Sequence, residues 1–135
     1  MIVTSGTRAL VTGWLDVMKM PYPSLMVTAE DVSAGKPDPQ CYLLGRDRLK
    51  LNAKGNAGRE GKEARCVVFE DAPAGVRAGK AAGFVVVGLA TTHEVEQIRE
   101  AGADWIVRDM RSVKVEGFER GSGVLRIRIA DALVV

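Results

Sequence analysis

Short apolar stretches separated by segments of helical period set the rhythm of this chain. Ile2-Val3 and the stretches 25–27, 66–69, 84–89 and 105–107 carry no charged residue and are too short for helices, so each reads as a strand. Their hydrophobicity is continuous rather than alternating, which is the pattern of strands covered on both faces. It predicts a βαβα order and a doubly wound α/β fold, with a mostly parallel sheet and helices on both faces.

Between the strands, Leu10, Trp14, Val17 and Met18 recur at helical spacing, predicting an apolar face that packs on the sheet. Asp38-Pro39 is a helix start before Tyr42, Leu44 and Leu49. Thr91 and Glu94 have capping-box spacing ahead of Val95 and Ile98, and Gly102 is a stop. Gly75, Gly79 and Gly83 recur every four residues, a smooth helix face for close packing on a strand. Residues 52–61 are glycine-rich and charged without periodicity, a surface insertion. The pattern changes again after Val115: residues 116–123 read as a turn, and Val124, Leu125, Ile127 and Ile129 as a late strand or hairpin. This divides the chain into a core over 1–115 and a C-terminal extension over 116–135.

Composition narrows the function classes. The chain has 135 residues, enough for one domain with one core, and 47% hydrophobic with 27% charged residues is ordinary globular usage. A net charge of +2 is scattered without a basic block, and 5% aromatics offer no stacking platform, so nucleic-acid binding is not expected. The apolar stretch from Phe84 ends at Gly88, far short of a bilayer span, so no membrane role is expected. Cys41 and Cys66 are the only cysteines and no secretory signal precedes them, which points to a reducing, cytoplasmic setting.

Three places lie just beyond strands, where open α/β sheets collect ligands. Thr4-Ser5-Gly6 offers two hydroxyls and loop amides to a phosphate; the same residues also read as a helix N-cap. Lys36 lies between restricting prolines in Gly35-Lys36-Pro37-Asp38-Pro39, either a fixed ammonium for a phosphate or a solvated lysine on an exposed turn. Glu70-Asp71 ends an apolar strand. Adjacent carboxylates there suit Mg²⁺, while Asp71 alone could cap the helix that Pro73 starts. The stretch from Gly75 to Ala81 is one residue short of a Walker A loop and lacks its Ser or Thr. His93 reads as a first-turn helix residue without a Ser or Cys partner.

Taken in order, Thr4-Ser5-Gly6, Gly35-Lys36-Pro37-Asp38-Pro39 and Phe69-Glu70-Asp71-Ala72-Pro73-Ala74-Gly75 resemble the second, third and fourth motifs of haloacid dehalogenase-like hydrolases. The resemblance covers residues 1 to about 115 and is strongest to sugar- and polyol-phosphate phosphatases of the glycerol-3-phosphatase and 2-deoxyglucose-6-phosphatase type. It implies a Mg²⁺-dependent phosphomonoesterase working through an aspartyl-phosphate, with a small phosphorylated sugar or polyol as substrate. It also implies residue roles. Thr4 resembles the phosphate-binding hydroxyl, with Ser5 and Gly6 as loop contacts; Lys36 resembles the catalytic lysine that steadies phosphate and nucleophile; Glu70 and Asp71 resemble the metal-binding acids.

The family's nucleophile motif, an Asp-x-Asp pair followed by Gly-Thr, occurs nowhere in the 135 residues. Asp131 ends a strand-like stretch, but Leu133 stands where a second aspartate would be. The nucleophile, the acid/base and the helical cap of the family are thus absent, and the chain alone is expected to be an inactive, truncated core. In the family the nucleophile strand lies between the strands carrying Thr4 and Glu70, so unpaired sheet edges and self-association are expected here. A non-catalytic phosphate-binding or protein-interaction module is the alternative reading.

Overall fold

The structure is a computed structural model and describes residues 1–49, 66–119 and 124–133; the insertion read at 52–61 lies outside them. The apolar stretches become five short strands, β1 (Ile2–Val3), β2 (Met26–Val27), β3 (Val67–Glu70), β4 (Val85–Leu89) and β5 (Trp105–Val107). Four helices alternate with them: α1 (Arg8–Val17), α2 (Gln40–Arg48), α3 (Pro73–Ala81) and α4 (Val95–Glu100). All pairings among β1 to β5 are parallel. β1 pairs with β2, Val3 opposite Val27, and β3-β4-β5 form a second sheet with Glu70 opposite Gly88 and Val87 opposite Trp105. β1 and β3 are not paired with each other. The parallel α/β class predicted from the strand pattern is what forms.

One core joins both sheets. Val27 of β2 clusters with Cys41 and Tyr42 of α2, Val68 of β3, Val76 of α3 and Val86 of β4, with Ile98 and Ile106 closing the far end. α2 packs on β1 and β2 and also reaches α3, while α3 and α4 cover β3, β4 and β5. Gly79 is where α3 touches the sheet, since a Cβ there would come to 2.7 Å from Val86 Cγ2. Gly75 belongs to the same face, whereas Gly83 is not part of it: it lies past the helix end at φ +78°, a conformation that favours glycine.

The β1-β2 end is fastened by Asp31. Its carboxylate accepts from Arg8 Nη2 at 3.0 Å, Arg48 Nη2 at 2.7 Å, and the amide and hydroxyl of Thr28, each at 2.9 Å. Thr28 is fully buried after β2, so one carboxylate ties α1, β2 and α2 together. The Arg48 hydrogen bond first, then those from Thr28, hold the Asp31 carboxyl far below its ordinary 3.8.

Three local expectations are corrected. The α1 stripe does not pack on the sheet: Leu10, Trp14, Val17 and Met18 are more than half exposed, and only Leu15 of this helix is buried. Helical period reveals an apolar face but not what covers it. The capping box of α4 is Glu94 with Gln97, not Thr91 with Glu94, because the chain enters the helix three residues later. The turn read over 116–123 starts too early: β6 (Val113–Glu119) runs antiparallel to β7 (Val124–Ile129) with a register shift between Val115 and Gly117. The 115/116 division therefore falls inside β6. With Val115 and Phe118 exposed, that strand has no apolar run to announce it.

Two outcomes follow from this packing. Gly79→Ala, which presses a methyl onto Val86, lowers unfolding stability by about 1–2 kcal/mol in urea titrations. Asp31 has a depressed folded-state pKa, so its contribution is present above 3.8 and is lost as pH falls below it. Wild type is accordingly more stable than Asp31→Asn near neutral pH, with the gap closing as the solution is acidified through that range.

Candidate phosphate-binding site

The carboxyl ends of β1 and β3 deliver Thr4 and Glu70-Asp71, and the turn before α2 delivers Lys36. Thr4 continues the β1 ladder, its amide donating to Val27 O at 2.9 Å, and its Oγ1 accepts from Gly6 N at 3.0 Å. The Thr4 hydroxyl keeps its own proton to donate. The helix N-cap is Thr7, whose hydroxyl accepts from Leu10 N at 3.3 Å, rather than Thr4, Ser5 or Gly6. Glu30 takes the next free amide, with both its carboxylate oxygens on Arg8 N at 3.0 and 3.1 Å. The Arg8, Leu10 and Val11 amides of the α1 terminus are therefore already engaged. Beside them at this loop stand the Thr4 hydroxyl and the exposed Ser5.

Lys36 is not a solvated turn lysine. Gln40 Oε1 gathers the amides of Ser33 and Ala34 at 3.0 and 2.8 Å, Asp38 N bonds to Gly35 O at 3.0 Å, and the folded turn sends the Lys36 side chain inward. Its side chain is 11% exposed. The ammonium donates to Glu70 Oε1, approaches Val3 O at 3.5 Å, and lies 4.9 Å above the Tyr42 ring. An ammonium has three N–H bonds, so one remains for a ligand.

Glu70 is 8% exposed and fully engaged. Its Oε1 accepts from Lys36 and from the Tyr42 hydroxyl at 2.5 Å, and its Oε2 faces Ala72 N at 3.4 Å. Gly75 makes room for it, since a methyl there would overlap the Glu70 carboxyl group. Burial first, then the Glu70 hydrogen bond, pushes the Tyr42 hydroxyl far above its usual range, so it acts as a donor. Burial likewise raises the thiols of Cys41, a core residue, and of the half-buried Cys66.

Asp71 is half-buried and does not cap α3, whose N-cap is Ala72. Its Oδ2 accepts from the Thr92 hydroxyl at 2.9 Å, and its backbone carbonyl meets His93 Nδ1 at 3.0 Å. Sequence reasoning missed Tyr42, Thr92 and His93 as neighbours of the site. Tyr42 stands in the sequence only as a residue after the Asp38-Pro39 helix start, and His93 precedes α4 instead of opening it. The usable signal was position: Thr92 and His93 follow β4 at the same sheet edge that displays Asp71.

The donor set leaves one carboxylate oxygen for a Mg²⁺ ion. Such an ion takes about six oxygens in near-octahedral array, most of them from water and substrate phosphate and only one or two from carboxylates. Here both Glu70 oxygens are committed, Asp71 keeps Oδ1, and no group of three or more His, Cys, Asp or Glu converges among the described residues.

Parallel strands with these side chains near their carboxyl ends define an α/β protein with a candidate site at the strand ends. The profile of the haloacid dehalogenase-like hydrolases matches residues 1–83, and the chain belongs to that family. It is 43% identical over 132 residues to glycerol-1-phosphate phosphohydrolase 1 of Saccharomyces cerevisiae, covering 98% of this chain and 52% of that protein. It is 38% identical over 116 residues to 2-deoxyglucose-6-phosphate phosphatase 2 of the same yeast, covering 84% and 46%. The chain thus spans about half the length of these curated relatives. Among solved structures it resembles a hydrolase from Pseudomonas syringae, with a TM-score of 0.63 and 28% identity over 79% of this chain and 46% of that one.

Breaking the Lys36–Glu70 pair strands a buried charge. Glu70→Ala lowers unfolding stability by about 3 kcal/mol. Glu70→Gln retains an acceptor for Lys36 and loses less, a ranking that urea titrations of the two variants check.

Proposed function

We propose that this chain is the phosphate-holding part of a phosphomonoesterase core that acts on small sugar or polyol phosphates. The observation that carries this reading is the buried Lys36 ammonium, fixed between Val3 O and Glu70 at the end of β1, one residue from Thr4. Its remaining N–H and the Thr4 hydroxyl suit oxygens of a phosphoryl group, with the exposed Ser5 in the same loop. Charge stabilisation and positioning are the main demands of phosphoryl transfer, and a desolvated lysine meets both. The substrate class is supported by the names of the yeast relatives, which are phosphatases of glycerol 1-phosphate and 2-deoxyglucose 6-phosphate.

Attack on phosphorus requires a nucleophile, and the 135 residues contain no Asp-x-Asp pair followed by Gly-Thr. The chain by itself therefore binds phosphate without turning substrate over. Asp71, with its free Oδ1, is the acid left open to a cation, while Glu70 serves the lysine. A Mg²⁺ ion held at Asp71 would neutralise charge on the phosphoryl oxygens. Among the described residues β1 and β3 each pair on one side only, and these edges with the exposed α1 stripe support self-association of the isolated chain.

Titration of the 135-residue chain with inorganic phosphate, followed by ³¹P NMR, tests the reading. Lys36→Ala weakens binding about tenfold or more, and Thr4→Val weakens it severalfold, the scale of losing a charged and a neutral hydrogen bond. Equal affinity in wild type and Lys36→Ala contradicts the phosphate role. Release of phosphate from glycerol phosphate by the wild-type chain, abolished in Lys36→Ala, contradicts its inactivity alone.

A further inference from the structure

Tyr42 has a buried hydroxyl that the phosphate reading does not use. The residue lies mid-way along the first turns of α2, is 6% exposed, and belongs to the core cluster that joins the two sheets. A buried phenol needs a hydrogen-bond partner. This one spends its proton on Glu70 Oε1, the same oxygen that receives Lys36, while its ring lies beneath the ammonium at 4.9 Å. One side chain therefore touches both members of the ion pair, with its polar tip on the acid and its π-face on the base.

Those two contacts restrict what the pair can do. The hydroxyl fixes the rotation of the Glu70 carboxylate, whose other side is closed by Ala72 N and the bare Gly75. The ring supports the ammonium from the core side, and Val3 O approaches it as well. Lys36 is left with one N–H direction, away from Tyr42, Glu70 and Val3. Without the hydroxyl the carboxylate is free to turn and draw the lysine with it.

We propose that Tyr42 is a positioning residue for phosphate binding, its hydroxyl locking Glu70 and its ring supporting Lys36 so that the ammonium is aimed before the ligand arrives. The inference rests on the phosphate reading and extends it one shell outward. It assigns Glu70 to the lysine as a fixed counterion and makes α2 part of the site as well as of the core.

The test compares inorganic phosphate binding by the full chain, Tyr42→Phe, Tyr42→Leu and Lys36→Ala, together with the Lys36 Cε–Hε resonances of each folded chain. Tyr42→Phe, which keeps the ring, weakens phosphate binding about three- to tenfold, the scale of one hydrogen bond. It also shifts the Lys36 resonances before any phosphate is added, and Tyr42→Leu weakens binding further. A tyrosine that only fills space gives a Tyr42→Phe chain with wild-type affinity and unmoved Lys36 resonances, which overturns the proposal. Where the variants do not fold, the wild-type chain decides: phosphate shifts the Tyr42 ring resonances if the residue is coupled to the site, and leaves them unmoved if it is not. Lys36→Ala separates the two levels. Loss of binding in Lys36→Ala with none in Tyr42→Phe overturns the tyrosine proposal alone, while unchanged binding in Lys36→Ala removes the phosphate reading and this inference with it.

Discussion

The ion pair between Lys36 and Glu70 connects parts of the chain that share no strand pairing. Lys36 comes from the turn after the β1-β2 pair and also approaches Val3 O at the end of β1; Glu70 ends β3 in the other sheet. Both side chains are nearly out of solvent, so each charge needs the other together with further hydrogen bonds. Much of the nearby sequence serves that requirement. The folded turn before α2 turns the lysine inward, Gly75 leaves room for the carboxylate, and Tyr42 contacts both groups.

This arrangement makes stability and ligand binding share the same atoms. A buried ammonium with one N–H unspent is costly to keep in a core, but it is well suited to a dianion because little reorganisation is needed when the ligand arrives. The surrounding hydrogen bonds divide the labour between the two acids of the Glu70-Asp71 pair. Glu70 is turned into the core to hold the lysine, and Asp71 stays at the sheet edge beside Thr92 and His93. Two neighbours of the same charge type thus end in different environments because Glu70 is the last residue of β3 and Asp71 the first beyond it, where the chain bends toward α3.

Much of the fold was legible because its signals are local. Continuous apolar stretches gave all five parallel strands, and Asp38-Pro39 and Gly102 marked helix ends that the structure keeps: Asp38 Oδ1 accepts from Gln40 N at 2.8 Å, and Gly102 has φ +94°. Of the motif residues, Lys36 and Glu70 meet, and Lys36 also approaches the carbonyl of Val3, the neighbour of Thr4. What was not legible depends on partners distant in sequence. The α1 stripe has the right period but no covering surface, β6 is stabilised by pairing with β7 instead of by burial, and the hydroxyl partner of Tyr42 is 28 residues away.

A crystal structure of the chain soaked with tungstate, a phosphate mimic, tests the central claim most directly. The account predicts the anion at the end of β1, within hydrogen-bond distance of Lys36 Nζ and Thr4 Oγ1, with the Lys36–Glu70–Tyr42 contacts intact. An anion bound elsewhere with that position filled only by water, or a Lys36 side chain found in solvent away from Glu70, would contradict it.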